Sequence, residues 1–357
     1  MLRATQLTIT ILFCWIMLEA QAPQTTAAQD IRVTSAGPSG TSVRSIVIDP
    51  LKSDKIYATT SAGAFKTTNG GESWKVLNFG QPKTLQFFFI QRIKIDPSDS
   101  DTLYAEYSSL DDRHVHREGL LKSTNGGESW SDADLKTYDL TYDPSKPKTV
   151  YARNSGKILK SADGGKTWNT FDIDLPKGVS GLSHFVISPS VPQTLYALAG
   201  NDGDFHNVDW VFKSTDGGLT WRKASSGLPN DYIQTLAVDP LDSGVLYAGM
   251  SHGILKTMNG GEDWTASNKG LPDKVVYALV IDPSNAGAVY AGTYGAGIFK
   301  STNTAESWTE ANTGLTEKNI FALVIDPSNH SKLYAGTIKG VFKSINAGAS
   351  WQPTGLQ

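Results

Sequence analysis

Seven times in this chain a short polar, glycine-rich octet closes on a tryptophan. TTNGGESW ends at Trp74, STNGGESW at Trp130, SADGGKTW at Trp168 and STDGGLTW at Trp221. TMNGGEDW ends at Trp264, STNTAESW at Trp308 and SINAGASW at Trp351. A unit recurring on this scale is a repeated supersecondary piece that buries its faces against its neighbours. The last four tryptophans stand 43 or 44 residues apart, the size of a four-stranded propeller blade.

Three further elements recur in the same order. IVIDP (46–50), IKIDP (93–97), LTYDP (140–144), FVISP (185–189), LAVDP (236–240), LVIDP (279–283) and LVIDP (323–327) come first. A Tyr-Ala pair follows, from Tyr57-Ala58 to Tyr334-Ala335, and then a run such as Gly297-Ile298-Phe299-Lys300. Asp-Pro ends the first run, because proline cannot donate to a ladder and its ring fixes φ. Each unit thus holds four short β runs, the last beginning at the octet tryptophan. No stretch carries a sustained helical period. The expected fold is all-β: a single seven-bladed β-propeller with four-stranded antiparallel blades.

The octet has its own logic. Its Ser or Thr hydroxyl and its Asp or Asn side chain bond backbone amides within a turn, and its glycines supply positive φ. The closing indole packs between sheets. These octets resemble the Asp-box, or BNR repeat, found in sialidases, two-propeller xyloglucan hydrolases, sortilin-type receptors and the photosystem II stability/assembly factor family. The resemblance covers nearly all of residues 40–357 and implies that the octet carboxylates and amides are structural. Thr304-Ala305 and Ala347 stand where glycine is usual, so looser turns are expected there. Residues 31–38 (IRVTSAGP) echo the ends of other units and are expected to add an outer strand to the last blade.

Composition narrows the function classes. Net charge is −3 and the pI about 6.1, so no bulk field draws the chain to nucleic acid or an anionic membrane. The apolar run Leu7 to Leu18 behind Arg3 is too short to span and reads as an export signal. A signal over residues 1–28, a propeller over 29–357, and a periplasmic or secreted monomer without a membrane span after cleavage are expected. Cys14, the only cysteine, lies in the signal, so disulfide and thiol chemistry are excluded from the mature part. No phosphate loop or nucleotide motif is present, and no cofactor or metal is expected.

The first strand of each unit lines the central channel and starts at the top face, where function gathers. Long insertions mark that face around units two to four: residues 78–91, 106–119 and 198–210. Arg44, Arg92, Asp139 and His184 stand just before the first runs of units one to four, and Glu106 and Arg153 follow the Tyr-Ala pairs of units two and three. Units five to seven carry Gly249, Gly292 and Gly336 in the latter place. His114, His116, His206 and Trp210 lie in the insertions and complete the candidate binding set. Glycoside hydrolysis needs two facing carboxylates, and Asp111, Asp112, Asp202 and Asp204 are the candidates if the chain is an enzyme. Of Phe87, Phe88 and Phe89, strand alternation is expected to direct two into blade packing.

A sialidase is disfavoured: that family has six blades and an N-terminal arginine motif missing here. The hydrolases that cleave xyloglucan hold their cleft between two propellers, whereas this chain has one. The main expectation is therefore a non-catalytic binding or assembly scaffold similar to the photosystem assembly-factor branch. That resemblance implies a protein partner met by arginines such as Arg92 and Arg153. The alternative is a glycan-active enzyme, hydrolase or lyase, or a lectin-like module, with a glycan at the top face.

Overall fold

The computed structural model describes residues 38, 40–80, 85–111, 116–133, 135, 137–154, 157–172, 181–200, 210–229 and 231–355. These form seven four-stranded antiparallel sheets and no helix. In every sheet the strands pair in chain order, first to fourth. Blade one runs from Val43 to Val76, blade two from Leu85 to Asp132, blade three from Tyr138 to Asp172 and blade four from Gly181 to Lys223. Blades five, six and seven run from Ile233 to Ala266, Val276 to Glu310 and Ile320 to Pro353. The signal expected over 1–28 lies outside the described residues. So does the segment 31–37; without it the last blade already holds four strands, its outer one being Gln352–Pro353.

The core lies between blades. One cluster joins Val43, Ile46, Phe65 and Trp74 of blade one to Ala322, Tyr334 and Val341 of blade seven. The ring is therefore closed by side faces. Each sheet hides its apolar surface only against the next, which is the dominant source of stability in such an array.

Polar staples add direction. In blade five the buried Tyr247 hydroxyl and the Lys256 ammonium both donate to the Thr304 carbonyl, in the octet of blade six, at 3.2 and 2.8 Å. Tyr290 and Lys300 repeat this on Ala347, and Tyr334 and Lys343 on Gly70, which crosses from the last blade to the first. Each lysine also lies over its tyrosine ring, Lys343 at 5.7 Å from the Tyr334 centroid.

The octets form one turn throughout. In blade five Thr257 Oγ1 donates to Asn259 Oδ1 and accepts from Gly261 N, while Asn259 Oδ1 accepts from Asp263 N. A Cβ at Gly261 would stand 2.6 Å from Ala224 O, so glycine also permits the close approach of blade four. The expected loosening in blades six and seven is absent. Ala305 N still donates to Ser301 Oγ at 2.9 Å and Ser307 N to Asn303 Oδ1 at 3.0 Å. Thr304, Ala305 and Ala347 adopt φ of 56°, 64° and 53° because the two side-chain acceptors and the packed indole fix the turn.

The junctions are not alike. Trp264, Trp308 and Trp351 are buried and donate Nε1 to carbonyls of the preceding blade, Ala224, Ser267 and Ala311. Their backbone amides bond back to Ser226, Lys269 and Thr313. Trp130, Trp168 and Trp221 are half-buried and donate to their own turns, at Gly127, Gly165 and Gly218. The ring is thus cross-stitched from blade four to blade seven and packs more loosely through blades two to four, where the long insertions leave it.

Candidate functional site

Every inner strand carries a β-bulge near its start. In blade six Val276 faces Thr293 and Ala278 faces Gly292, so the register skips Tyr277 between them. The same skip isolates Arg44, Gln91, Asp139, Ser183, Gln234 and Phe321 in the other six blades. A bulge re-aims a side chain and frees it from the ladder. Six of these positions stand five residues before the residue that precedes the turn proline, and Asp139 of blade three stands four before Asp143; together they ring one end of the channel. The sequence reading aligned Arg44, Arg92, Asp139 and His184 as one set. The structure divides them: Arg44 and Asp139 are bulge residues, whereas Arg92 and His184 sit one position later, beside Gln91 and Ser183.

Two sectors of the ring differ in chemistry. In blades two to four, Arg92 and Lys94 from one inner strand, Arg153 and His184 converge on Asp139. Arg92 Nη1 lies 3.7 Å from Asp139 Oδ1 and 3.9 Å from Glu106 Oε2. Lys94 Nζ is 4.0 Å, Arg153 Nε 3.9 Å and His184 Nδ1 3.7 Å from the same aspartate. Only 2% of the Asp139 side chain and 5% of Glu106 are exposed, against 39% of Arg92 and 32% of Lys94. The carboxylates are a floor and the cations a lip. Glu106 Oε1 accepts from Leu140 N of blade three at 3.3 Å, and Asp139 Oδ2 has no hydrogen-bond donor.

Burial pushes the Glu106 carboxyl up, and neighbouring Asp139 adds to this against the pull of Arg92 and Lys94. Burial acts on Asp139 in the same direction, but Arg92, Lys94, His184 and Arg153 together hold it below the usual carboxylate range. Burial pushes His184 down to about 4, over the opposing pull of Asp139, so its ring is neutral at pH 7. The two carboxyls are shifted in opposite directions, Glu106 up and Asp139 down. Buried beneath Arg92, though, neither presents an oxygen to a sugar, so they do not form a hydrolytic pair.

The other sector is aromatic. Tyr277 and Phe321, bulge residues of blades six and seven, stand 5.4 Å apart between ring centroids. Tyr294, in the connection after the second strand of blade six, meets Tyr277 edge-on at 6.1 Å and is 37% exposed. On the blade-two side Phe87 and Phe89 stack at 6.2 Å, with the Arg44 guanidinium over Phe89 at 5.2 Å. Only Phe88 packs inward, against Phe79 and Tyr107. The expectation that two of the three phenylalanines pack is thus reversed: alternation puts the pair 87 and 89 on the outward face.

Glycines explain the division. A Cβ at Gly249, Gly292 or Gly336 would meet the next inner strand at 2.7, 2.6 or 2.8 Å, so blades five to seven pack there directly. Glu106 and Arg153 occupy the equivalent places in blades two and three, and charged side chains stand between those strands instead.

Trp210 opens the third strand of blade four, half-buried, with Lys223 over its ring at 4.6 Å, and is not part of the charged cluster. Asp111 ends the long second strand of blade two opposite Leu85, and His116 opens its third strand opposite Leu110. Asp112, His114, Asp202, Asp204 and His206 lie outside the described residues. Among the described residues no group of three or more His, Cys, Asp or Glu is placed to hold a metal ion.

No family model matches the chain. It is 27% identical over 258 residues to a xyloglucanase of a Paenibacillus species, a match covering 62% of this chain and 24% of that protein. The chain thus spans about a quarter of that relative's length. Its fold superposes on the GH74 xyloglucanase of Xanthomonas campestris with a TM-score of 0.72, at 18% identity, covering 90% of this chain and 56% of the other. YCF48 of Cyanidioschyzon merolae superposes at 0.60 and 12% identity, over 87% and 96%. These two likenesses establish the propeller. The sequence relationship runs to xyloglucanases, and it corrects the expectation of a non-catalytic assembly scaffold: a ring of this kind makes up part of the Xanthomonas enzyme as well as nearly all of YCF48, so the presence of one ring does not separate the two. The chain is a seven-bladed β-propeller, similar in sequence to part of the xyloglucanases.

Proposed function

We propose that this chain is a glycan-active propeller of the glycoside hydrolase type, exported, that takes a polysaccharide across its channel mouth. The observation that carries the reading is the pair of aromatic platforms beside polar groups at that mouth. Sugar rings present apolar C–H faces to aromatic rings and hydroxyls to charged side chains, and Tyr277, Tyr294 and Phe321 offer the former. The sequence relationship to xyloglucanases supports the same class and makes xyloglucan the first substrate to test. Hydrolysis would fall to carboxylates on the insertions, with Asp111, Asp112, Asp202 and Asp204 as candidates.

The test is a polysaccharide panel, scored for both binding and product release. Release that is lost in Asp111→Asn, Asp112→Asn, Asp202→Asn or Asp204→Asn supports a hydrolase. Binding without release, weakened in Phe321→Ala or Tyr294→Ala, supports the glycan class without catalysis. Neither binding nor release across the panel overturns the proposal.

A further inference from the structure

The charged sector of the mouth is built for more than neutral hydroxyls. Arg92 carries five N–H donors, and its guanidinium meets Asp139 and Glu106 only at 3.7 and 3.9 Å, beyond hydrogen-bond distance. Lys94, at 4.0 Å from Asp139, likewise spends no donor on the carboxylate below it. Both side chains are held in place by buried counter-charges yet keep about a third of their surface open. A planar guanidinium with unspent donors beside an ammonium is the arrangement that takes a carboxylate, two N–H groups to two oxygens.

The charge count points the same way. Three cations (Arg92, Lys94, Arg153) face two carboxyls, and burial drives one of these, Glu106, toward its neutral form. His184 adds no charge at neutral pH. Glu118, which acts on Arg153 from the third strand of blade two, is the further anion in reach, and Arg44 on blade one is a further cation. The lip itself is cationic, because the carboxylates of the cluster lie beneath it.

We infer that the blade two-to-four sector binds the carboxylate of a uronic acid, so that the glycan taken by this propeller carries acidic sugars. The inference rests on the glycan reading above. Arg92 and Lys94 hold the carboxylate. Tyr277, Tyr294 and Phe321, on blades six and seven of the same rim, take the faces of other sugars in the chain.

Titration calorimetry of the full chain decides it, with trigalacturonate as the acidic probe and a xyloglucan oligosaccharide as the neutral one. Trigalacturonate is expected to bind, to weaken as salt rises, and to weaken at least ten-fold in Arg92→Gln. Removing Arg92 exposes two buried carboxyls to each other, so Lys94→Gln is the second variant, expected to weaken binding several-fold with melting unchanged. Equal affinity for both probes overturns the inference, as does unchanged trigalacturonate affinity in a folded Lys94→Gln. A polyglutamate peptide bound as tightly as the uronate also overturns it, since recognition would then be of any polyanion. If a neutral polysaccharide is bound or cleaved and trigalacturonate is not, this inference fails and the glycan reading stands. If no glycan binds, both fail.

Discussion

The seam between blade seven and blade one is held by one buried carbonyl with two donors. Tyr334 Oη and Lys343 Nζ both reach Gly70 O at 3.1 Å, and no other backbone group competes for it. Tyr334→Phe removes one donor and keeps the ring under the ammonium, so the expected cost is about 1 kcal/mol. Lys343→Met removes a charge-assisted bond and the cation–π contact, about 1.5–2.5 kcal/mol. In either single variant Gly70 O keeps a partner. In the double variant it has none, and a buried unsatisfied acceptor costs about 1–3 kcal/mol more. The double variant should therefore exceed the sum of the singles by about 1–2 kcal/mol. Urea unfolding followed by tryptophan fluorescence measures this, with Trp74 at the seam as a reporter. Additivity to within about 0.3 kcal/mol would refute the shared acceptor and with it the staple as a source of closure.

Two other expectations come from the same structure. Trp308→Phe should cost about 2 kcal/mol, because it orphans the buried Ser267 carbonyl of the preceding blade, whereas Trp168→Phe, half-buried and bonded within its own turn, should cost under about 1 kcal/mol; thermal melts of the two variants compare them directly. His184 has its ordinary value of 6.5 in the unfolded chain and about 4 when folded, so the unfolded state binds more protons between those values and stability falls as pH drops from 6.5 to 4; the upward shift at Glu106 opposes this, and a stability–pH profile that His184→Gln does not flatten over that window contradicts the assignment.

The fold is legible because each unit restates the same four signals in order: Asp-Pro, Tyr-Ala, the lysine run and the octet tryptophan. The site was legible only in outline. Arg92, Glu106, Asp139, Arg153 and His184 do come together, but their alignment by distance from the Asp-Pro turn concealed the bulge. One unpaired residue shifts what counts as equivalent, and a bulge leaves no mark in residue type. Lys94 went unnoticed because it sits within a first run, IKIDP, where it read as a strand residue. The staple lysines, such as Lys66 and Lys256, were visible as a repeated letter, but what they bond lies one blade away. The aromatic sector is legible only in part: Tyr277 and Phe321 stand beside the channel-mouth positions in the sequence, but they look like strand-forming residues until the bulge turns them outward. Function was the least legible, since a ring of Asp-box units supports both scaffolds and hydrolases.

The bulge has a consequence for how such a protein can change. A residue that pairs with nothing in its sheet can be exchanged with little effect on the ladder, while the flanking residues keep the strand in register. Arginine, glutamine, serine, tyrosine and phenylalanine already occupy this one backbone position in six of the seven blades. The ring therefore behaves as a keypad whose keys can be changed on a fixed frame. New specificities are open to it by single substitutions, which the staples and octets elsewhere in each blade would not register.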